Sequence, residues 1–440
     1  MIEKVNVFWF RRDLRLNDNV ALYHALCFKF PVLPIFIFDT HILCELEDKN
    51  DKRVSFIYQN LISIQKQLEA SGSSLEIFHS TPLEAFAKIV DGHEVEAVFT
   101  NHDYEPYARQ RDDLIEKFLS KKNIAFKSFK DQVIFEKSEV VKENGEPYKV
   151  FTPYSKKWKS ILDQTNLQPF ASEKLVKNFL QKKPQRFPSL KEIGFDNTTD
   201  FPKLPVDETI IKHYDQTRNT PSIRGTSHLG IHLRFGTISI RELVAKALAL
   251  NEIFLNELIW REFFMQLLWH YPRLVNEACK REYDNIKWRN NDKEFEAWCV
   301  GKTGYPIVDA GMRELNETGF MHNRVRMIVA SFLTKHLLID WRWGEAYFAE
   351  KLLDYELSSN NGNWQWAAGC GCGAAPYFRI FNPTEQTKKF DAGLIYIKKW
   401  IRDFDSYQIH PIVEHEFARK RALAVYQKAL AEAKNEKSPG

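Results

Sequence analysis

The sequence predicts two fold classes in one chain: an α/β domain built on a parallel sheet, then a long connector, then an all-α domain. Three observations predict it. Short apolar runs at residues 5 to 10, 32 to 38, 75 to 78 and 95 to 100 are separated by amphipathic stretches. Parallel strands need that alternation, because each must return to the same edge through a crossover. Between residues 131 and 205 the pattern weakens, with Pro184, Pro188, Pro202 and Pro205 set among many Lys and Asn residues, the composition of a connector laid over a surface. Beyond residue 205 the apolar positions recur at helical spacing over 240 to 250, 252 to 271, 305 to 315, 325 to 338 and 343 to 353, and a charged amphipathic helix follows at about 414 to 434. The expected domains are residues 1–130, 131–205 and 206–440.

Each element carries its own cue. The first strand is followed by Asn17-Asp18-Asn19, helix-start chemistry at the sheet edge where open α/β folds bind ligands. No GxGxxG follows that strand, so no dinucleotide is assigned to this Rossmann-like domain from spacing. With 440 residues the chain can bury more than one core, and it contains no 18-residue apolar run that would span a bilayer. The start, MIEKVNVFWF, runs straight into a strand pattern without a signal peptide, which predicts a soluble cytoplasmic protein. Six scattered cysteines predict free thiols in a reducing compartment. A net charge of +4 neither demands nor opposes a nucleic-acid partner, whereas 14% aromatic residues with 11 Trp offer more rings than a core requires, candidates for stacking on bases or a planar cofactor.

The most informative segment is NNGNWQWAAGCGCGAAPYFRIFNP at 360 to 383. Its amides, small residues and turn formers read as irregular backbone holding Trp364 and Trp366 at a cleft, a wall for flat ligands; two core tryptophans beside a tight turn is the other reading. Cys370-Gly371-Cys372 has no His or Cys pair at matching spacing elsewhere, so small-residue packing near a ligand is preferred to a metal site. In NELIWREFF, Glu257, Trp260 and Arg261 stand at i, i+3 and i+4 on one helix face, where a surface salt bridge with a neighbouring indole is the competing reading. In MHNRVRM the helical spacing aligns Asn323 with Arg326 and Met327 while Arg324 points elsewhere. A guanidinium in so apolar a helix needs a partner, and Asp354 is the candidate for Arg326. Gly225-Thr226-Ser227-His228-Leu229-Gly230 offers amides and hydroxyls suited to phosphates, though a plain Ser/Thr turn has the same composition.

Taken together, WFRRDLRLNDN, YKVFTP, NELIWREF, KTGYPIVDAGMREL, MHNRVRM and NNGNWQWAA with APYFRIFNP resemble the photolyase/cryptochrome flavoprotein family over almost the whole length, most closely its class I cyclobutane pyrimidine dimer photolyases. The resemblance implies an α/β antenna domain and a helical domain that holds FAD. It places Tyr214, Thr226, Ser227, Leu229 and Gly230 around the FAD phosphates, with Arg261 also on the cofactor, Arg326 paired with Asp354 beside the isoalloxazine ring, Glu356 nearby and Asn360 facing flavin N5. Departures are His228 and Gly230, where the family carries arginine and serine, and Glu356, where it carries aspartate.

The activity implied is light-driven repair of UV-damaged DNA, in which excited reduced FAD passes an electron to a flipped-out pyrimidine dimer. Photolyases are a standing example of enzymes that take bases out of the stack. By the same resemblance Trp260 and Trp366 stack on the extruded bases, Glu257 and Asn323 hydrogen-bond to the pyrimidine edges, and Met327 closes the pocket. Arg218, Arg324, Arg379 and Lys388 grip backbone phosphates, supplying affinity rather than selectivity. Trp364, Trp341 and Trp288 match the family's electron-relaying tryptophans. Asn323 stands where repair of 6-4 lesions would require histidine. A cryptochrome photosensor is the alternative, set against by Glu257, Trp260, Asn323 and Trp366. A second antenna chromophore is open, with folate disfavoured by Ala108, Val275 and Asn276, and the chain is expected to be monomeric.

Overall fold

The computed structural model describes residues 4–196, 201, 206–373, 376–407 and 410–436. Pro202, Pro205 and the expected boundary at 205 lie outside the described residues, as do Ala374 and Ala375, the latter the first residue of the APYFRIFNP motif. The chain forms two compact units. Residues 1–139, 161–205 and 229–249 make the first, and residues 140–160, 206–228 and 250–440 the second. The units therefore interleave along the sequence instead of dividing at 130 and 205.

The first unit carries β1 (Lys4–Phe10), α1 (Val20–Cys27), β2 (Val32–Asp39), α2 (Lys52–Ala70), β3 (Glu76–Ser80), α3 (Pro82–Gly92), β4 (Glu94–Asn101), α4 (Pro106–Ser120) and β5 (Ala125–Phe129). All strand pairs are parallel, in the order β3-β2-β1-β4-β5. Phe8, Phe10, Phe36 and Phe38 belong to one core cluster and Val7, Trp9, Ile35 and Ile37 to another. Alternate side chains thus enter two different cores, which is why β1 and β2 read as unbroken apolar runs. Strand β5, sequence AFKSF, is partly exposed at the sheet edge and lacks such a run, so periodicity did not reveal it. Asn17-Asp18-Asn19 is spent on structure: the Asn19 side chain caps α1 through Leu22 N, while Asp18 binds the Arg241 guanidinium at 2.9 and 3.0 Å.

In the second unit the supposed surface connector supplies a packed helix, α5 (Phe151–Ile161), whose Tyr154 and Trp158 are fully buried. Helix α6 (Ile240–Leu250), expected to open the helical domain, lies almost entirely in the first unit. The second unit continues with α7 (Glu252–His270), α8 (Pro306–Thr318), α9 (Asn323–Ser331), α10 (Trp341–Lys351), α11 (Leu357–Ala368), α12 (Pro383–Phe390) and α13 (His415–Glu436). Asn251 caps α7 through Ile253 N and Phe254 N, and Pro272 follows its end. Helix α7 is buried along most of its length from Phe254 to Leu268, with Glu262 and Gln266 among its buried residues. A π-helical turn, Phe332–His336, extends α9 and turns Lys335 inward, where its Nζ donates to Ala368 O at 2.8 Å at the end of α11.

Two expectations are corrected here. The segment containing Trp364 and Trp366 is regular helix α11, not irregular backbone. Its polar side chains are engaged through tertiary and i,i+4 bonds instead of competing with their own backbone: Gln365 Nε2 donates to Asn361 Oδ1, Leu274 O and Glu277 O, and Asn360 Nδ2 to Glu345. Gly362 is required by packing, since a Cβ there would stand 2.2 Å from the Phe264 ring of α7. The second correction concerns cysteine. Cys279 and Cys372 form a disulfide, Cα–Cα 5.5 Å, while Cys27, Cys44, Cys299 and Cys370 are free. The partners lie 93 residues apart, a pairing that local spacing cannot show. Among the described residues no helix is long and apolar enough to cross a membrane.

Candidate functional site

Helices α9, α10 and α11 and the segment between α10 and α11 surround a cleft of about 100 Å³ in the second unit. It is lined by Arg326, Asp354, Glu356 and Asn360, and by Asn323, Met327, Trp364 and Trp366. Arg324 is not among the lining residues. The helical spacing of MHNRVRM forecast that division.

The Arg326–Asp354 pair forms as expected, with Nη2 donating to both carboxylate oxygens at 3.1 and 2.9 Å and Nε to Met321 O at 2.7 Å. His322 beside it is buried, and burial together with Arg326, Arg324 and His228 lowers its pKa to about 4. It therefore stays neutral, and its Nδ1 accepts from Arg324 N to cap α9. Asn360 is held by Glu345 on α10: its Nδ2 donates to Glu345 O at 3.0 Å and to Oε1 at 2.8 Å. Both amide hydrogens are thereby committed, so Asn360 offers Oδ1, an acceptor, to the cavity. Burial pushes the Glu345 carboxyl up, against the pull of that hydrogen bond. Glu345 was not singled out in the sequence; its only signal is an acid on the inward face of RWGEAYF.

Helix α7 brings Glu257, Trp260 and Arg261 at the expected helical spacing. Glu257 and Arg261 do not pair with each other: the Arg218 guanidinium binds Glu257, and Arg261 Nη2 lies 3.5 Å from Glu356 Oε1. The separation follows from partners offered by two other segments. Burial raises the Glu257 pKa in spite of Arg218 and Tyr214, and burial, with Glu257 beside it, raises the Tyr214 hydroxyl well above its usual range. None of the three α7 residues lines the cavity. The Trp260 ring is stacked on Phe151, centroids 3.7 Å apart and planes 4° apart.

The remaining predicted residues are placed as follows. Arg324 Nη2 donates to Asn219 Oδ1 at 2.6 Å, and its guanidinium lies over the Phe390 ring. Arg379 is exposed, and Lys388 on α12 pairs with Glu385 at 2.7 Å. Trp364 and Trp341 are buried and Trp288 is half-buried. Trp364 has Phe348 at 5.0 Å and Trp298 at 6.1 Å; Trp288 has Tyr426 at 6.0 Å. Thr226 and Ser227 are half-buried loop residues, and His228 has φ 55° and stacks on Phe320 at 4.0 Å. Leu229 and Gly230 belong to the first unit, where Leu229 precedes the short helix Gly230–Phe235 without a side-chain cap.

A planar heterocycle bearing N–H and carbonyl groups fits this donor set: a guanidinium held flat by a carboxylate, an amide acceptor, and indoles at the wall. The comparisons with known proteins agree. The chain matches DNA photolyase over residues 6–174 and the FAD binding domain of DNA photolyase over residues 254–429. A deoxyribodipyrimidine photo-lyase of Synechococcus sp. is 36% identical, with 97% of each chain covered. A class III photolyase of Agrobacterium tumefaciens superposes with a TM-score of 0.84 at 30% identity, covering 98% of each chain. An archaeal photolyase from Sulfolobus tokodaii, solved with two FAD molecules, gives 0.81 at 32% identity, covering 96% of this chain and 99% of its own. The chain belongs to the photolyase/cryptochrome family, and its helical part is that family's FAD-binding domain.

Proposed function

We propose that this protein repairs cyclobutane pyrimidine dimers in DNA, as a class I deoxyribodipyrimidine photo-lyase, with FAD in the cavity of the second unit. One observation carries the reading: Asn323, Met327 and Trp366 line the same cavity as Arg326, Asp354 and Asn360. A dimer held by the first group therefore abuts a cofactor held by the second. Reduced FAD, when bound, supplies the photoexcited electron that opens the cyclobutane ring. The chain's own residues position the partners. The Asn360 acceptor favours a protonated flavin N5, and Arg326 with Asp354 fixes the ring edge. Trp366 and Trp260 offset the cost of unstacking the lesion. Glu257, whose carboxyl is shifted up by burial, hydrogen-bonds a pyrimidine edge and stabilises charge there.

Arg218, Arg324, Arg379 and Lys388 are proposed to meet backbone phosphates, which requires Arg218 to exchange Glu257 for phosphate. The descent from buried Trp364 and Trp341 to half-buried Trp288 suits a donor route toward the surface. Asn323 in place of histidine supports cyclobutane over 6-4 lesions. A second light-harvesting chromophore is proposed for the first unit; the Sulfolobus tokodaii relative carries two FAD molecules.

Illuminating the reduced, FAD-loaded protein with a thymine-dimer oligonucleotide should restore thymines that a dark control leaves dimerised. Persistence of the lesion after thorough illumination refutes the assignment. Trp288→Phe should abolish photoreduction of oxidised FAD while sparing repair by pre-reduced protein, and retained photoreduction removes Trp288 from the route.

A further inference from the structure

The YKVFTP motif at residues 148 to 153 has no role in the reading above, yet the structure gives its phenylalanine a specific one. Trp260 is half-buried on α7, and two of its ring neighbours come from its own helix: Phe263, edge-on at 5.6 Å, and Phe264, at 5.4 Å and 29°. Among the described residues, Phe151 is the ring that reaches Trp260 from another element, and it lies flat against the indole. It is the first residue of α5, a helix fastened along α7 at several points. Trp158 Nε1 donates to the buried Glu262 at 2.5 Å, Ser155 Oγ to Asn256 at 3.4 Å, and the Tyr154 ring packs on Phe263 at 5.2 Å.

An indole on a half-exposed helix face has several staggered rotamers open to it, and a cofacial ring on a rigid support removes all but those that keep the plane. We propose that Phe151 is a positioning residue for lesion recognition: it clamps the Trp260 plane, so that the indole meets an extruded pyrimidine with its other face already ordered. Phe151, Trp260 and the base then form a three-layer stack in which the ordering cost is met before DNA arrives. The inference rests on the lesion-binding role proposed for Trp260. Phe151 itself touches neither cofactor nor substrate.

Two measurements test it. In the dark, equilibrium binding of a thymine-dimer oligonucleotide is compared for FAD-loaded wild type, Phe151→Ala, Trp260→Ala and the double variant. Phe151→Ala should weaken binding about tenfold, leave FAD content and affinity for undamaged DNA unchanged, and add nothing once Trp260 is absent; Phe151→Tyr should restore affinity. Wild-type affinity in Phe151→Ala, tighter binding, or a full additional loss in the double variant each overturns the clamp. Separately, the Trp260 fluorine resonance of 5-fluorotryptophan-labelled protein should shift and broaden in Phe151→Ala. An unchanged resonance overturns the clamp whatever DNA does. A changed resonance, with wild type showing no preference for damaged DNA, places the failure in the lesion-binding role and ends the functional part of the proposal.

Discussion

Both units bury arginines against carboxylates, and they do so differently. In the first unit Arg15, Arg241, Asp18 and Asp131 form one buried, mutually bridged set. Asp131 accepts from Arg15 at 2.7 Å and from Arg241 at 2.9 Å, Arg15 Nη1 reaches Gly236 O at 2.9 Å, and the Asp131 side chain is 1% exposed. Burial alone would raise the Asp131 pKa, but the two guanidinium groups outweigh it and hold the carboxyl below its usual range. In the second unit two pairs are single and open: Arg326–Asp354 has side chains 24% and 19% exposed, and Arg218–Glu257 35% and 34%. A bridged network sealed from solvent acts as structure. A single pair at the rim of a cavity keeps unused hydrogen-bonding capacity, which a cofactor or phosphate can take up.

Breaking each kind of pair sharpens that contrast. The largest effect is expected from Asp131→Asn, which leaves two buried guanidinium groups without full compensation and should cost about 3–5 kcal/mol in urea unfolding. Because the Asp131 pKa is depressed on folding, its stabilisation is complete above the ordinary carboxylate pKa and fades as pH falls through the folded value. The gap between wild type and variant should close in acid, and a pH-independent gap would refute the charge argument. Asp354→Asn should cost only about 1 kcal/mol of stability while sharply reducing the FAD retained through purification, read from flavin absorbance; a large stability loss with full FAD retention would make this pair structural as well. The last effect is read as a pH slope and concerns a buried cation. Lys335 donates to Ala368 O and lies 3.7 Å from the Tyr426 ring centre, and burial lowers its pKa to about 7. The unfolded chain then binds the extra proton between pH 7 and 10.5, so wild type should gain stability relative to Lys335→Met as pH rises through that window. Parallel pH profiles would refute the lowered Lys335 pKa.

The legible part of the site follows a simple rule. The Arg326–Asp354 pair was readable because an arginine in an apolar helix needs a carboxylate, and the alignment of Asn323, Arg326 and Met327 because helical spacing fixes which residues share a face. The illegible part depends on distant partners. Helix α11 looked like a loop because Asn and Gly are poor helix formers in isolation; contacts of Asn360 with Glu345, of Gln365 with the 274–277 segment and of Gly362 with Phe264 reverse that preference. For the face shared by Glu257 and Arg261 a surface ion pair was the competing reading, and it is excluded only because Arg218 and Glu356 take one partner each. Phe151 carried no signal at all as an aromatic in YKVFTP.

By itself the sequence determined the succession of classes, the parallel strands with two buried faces, and the family, because periodicity and local motifs are properties of neighbouring residues. Only the tertiary structure decided that the units interleave, that Cys279 meets Cys372, and that three helices and the turn between two of them enclose one cavity. Those outcomes are set by which side chains distant in the chain compete for the same hydrogen bond or the same space, and no linear pattern records that competition.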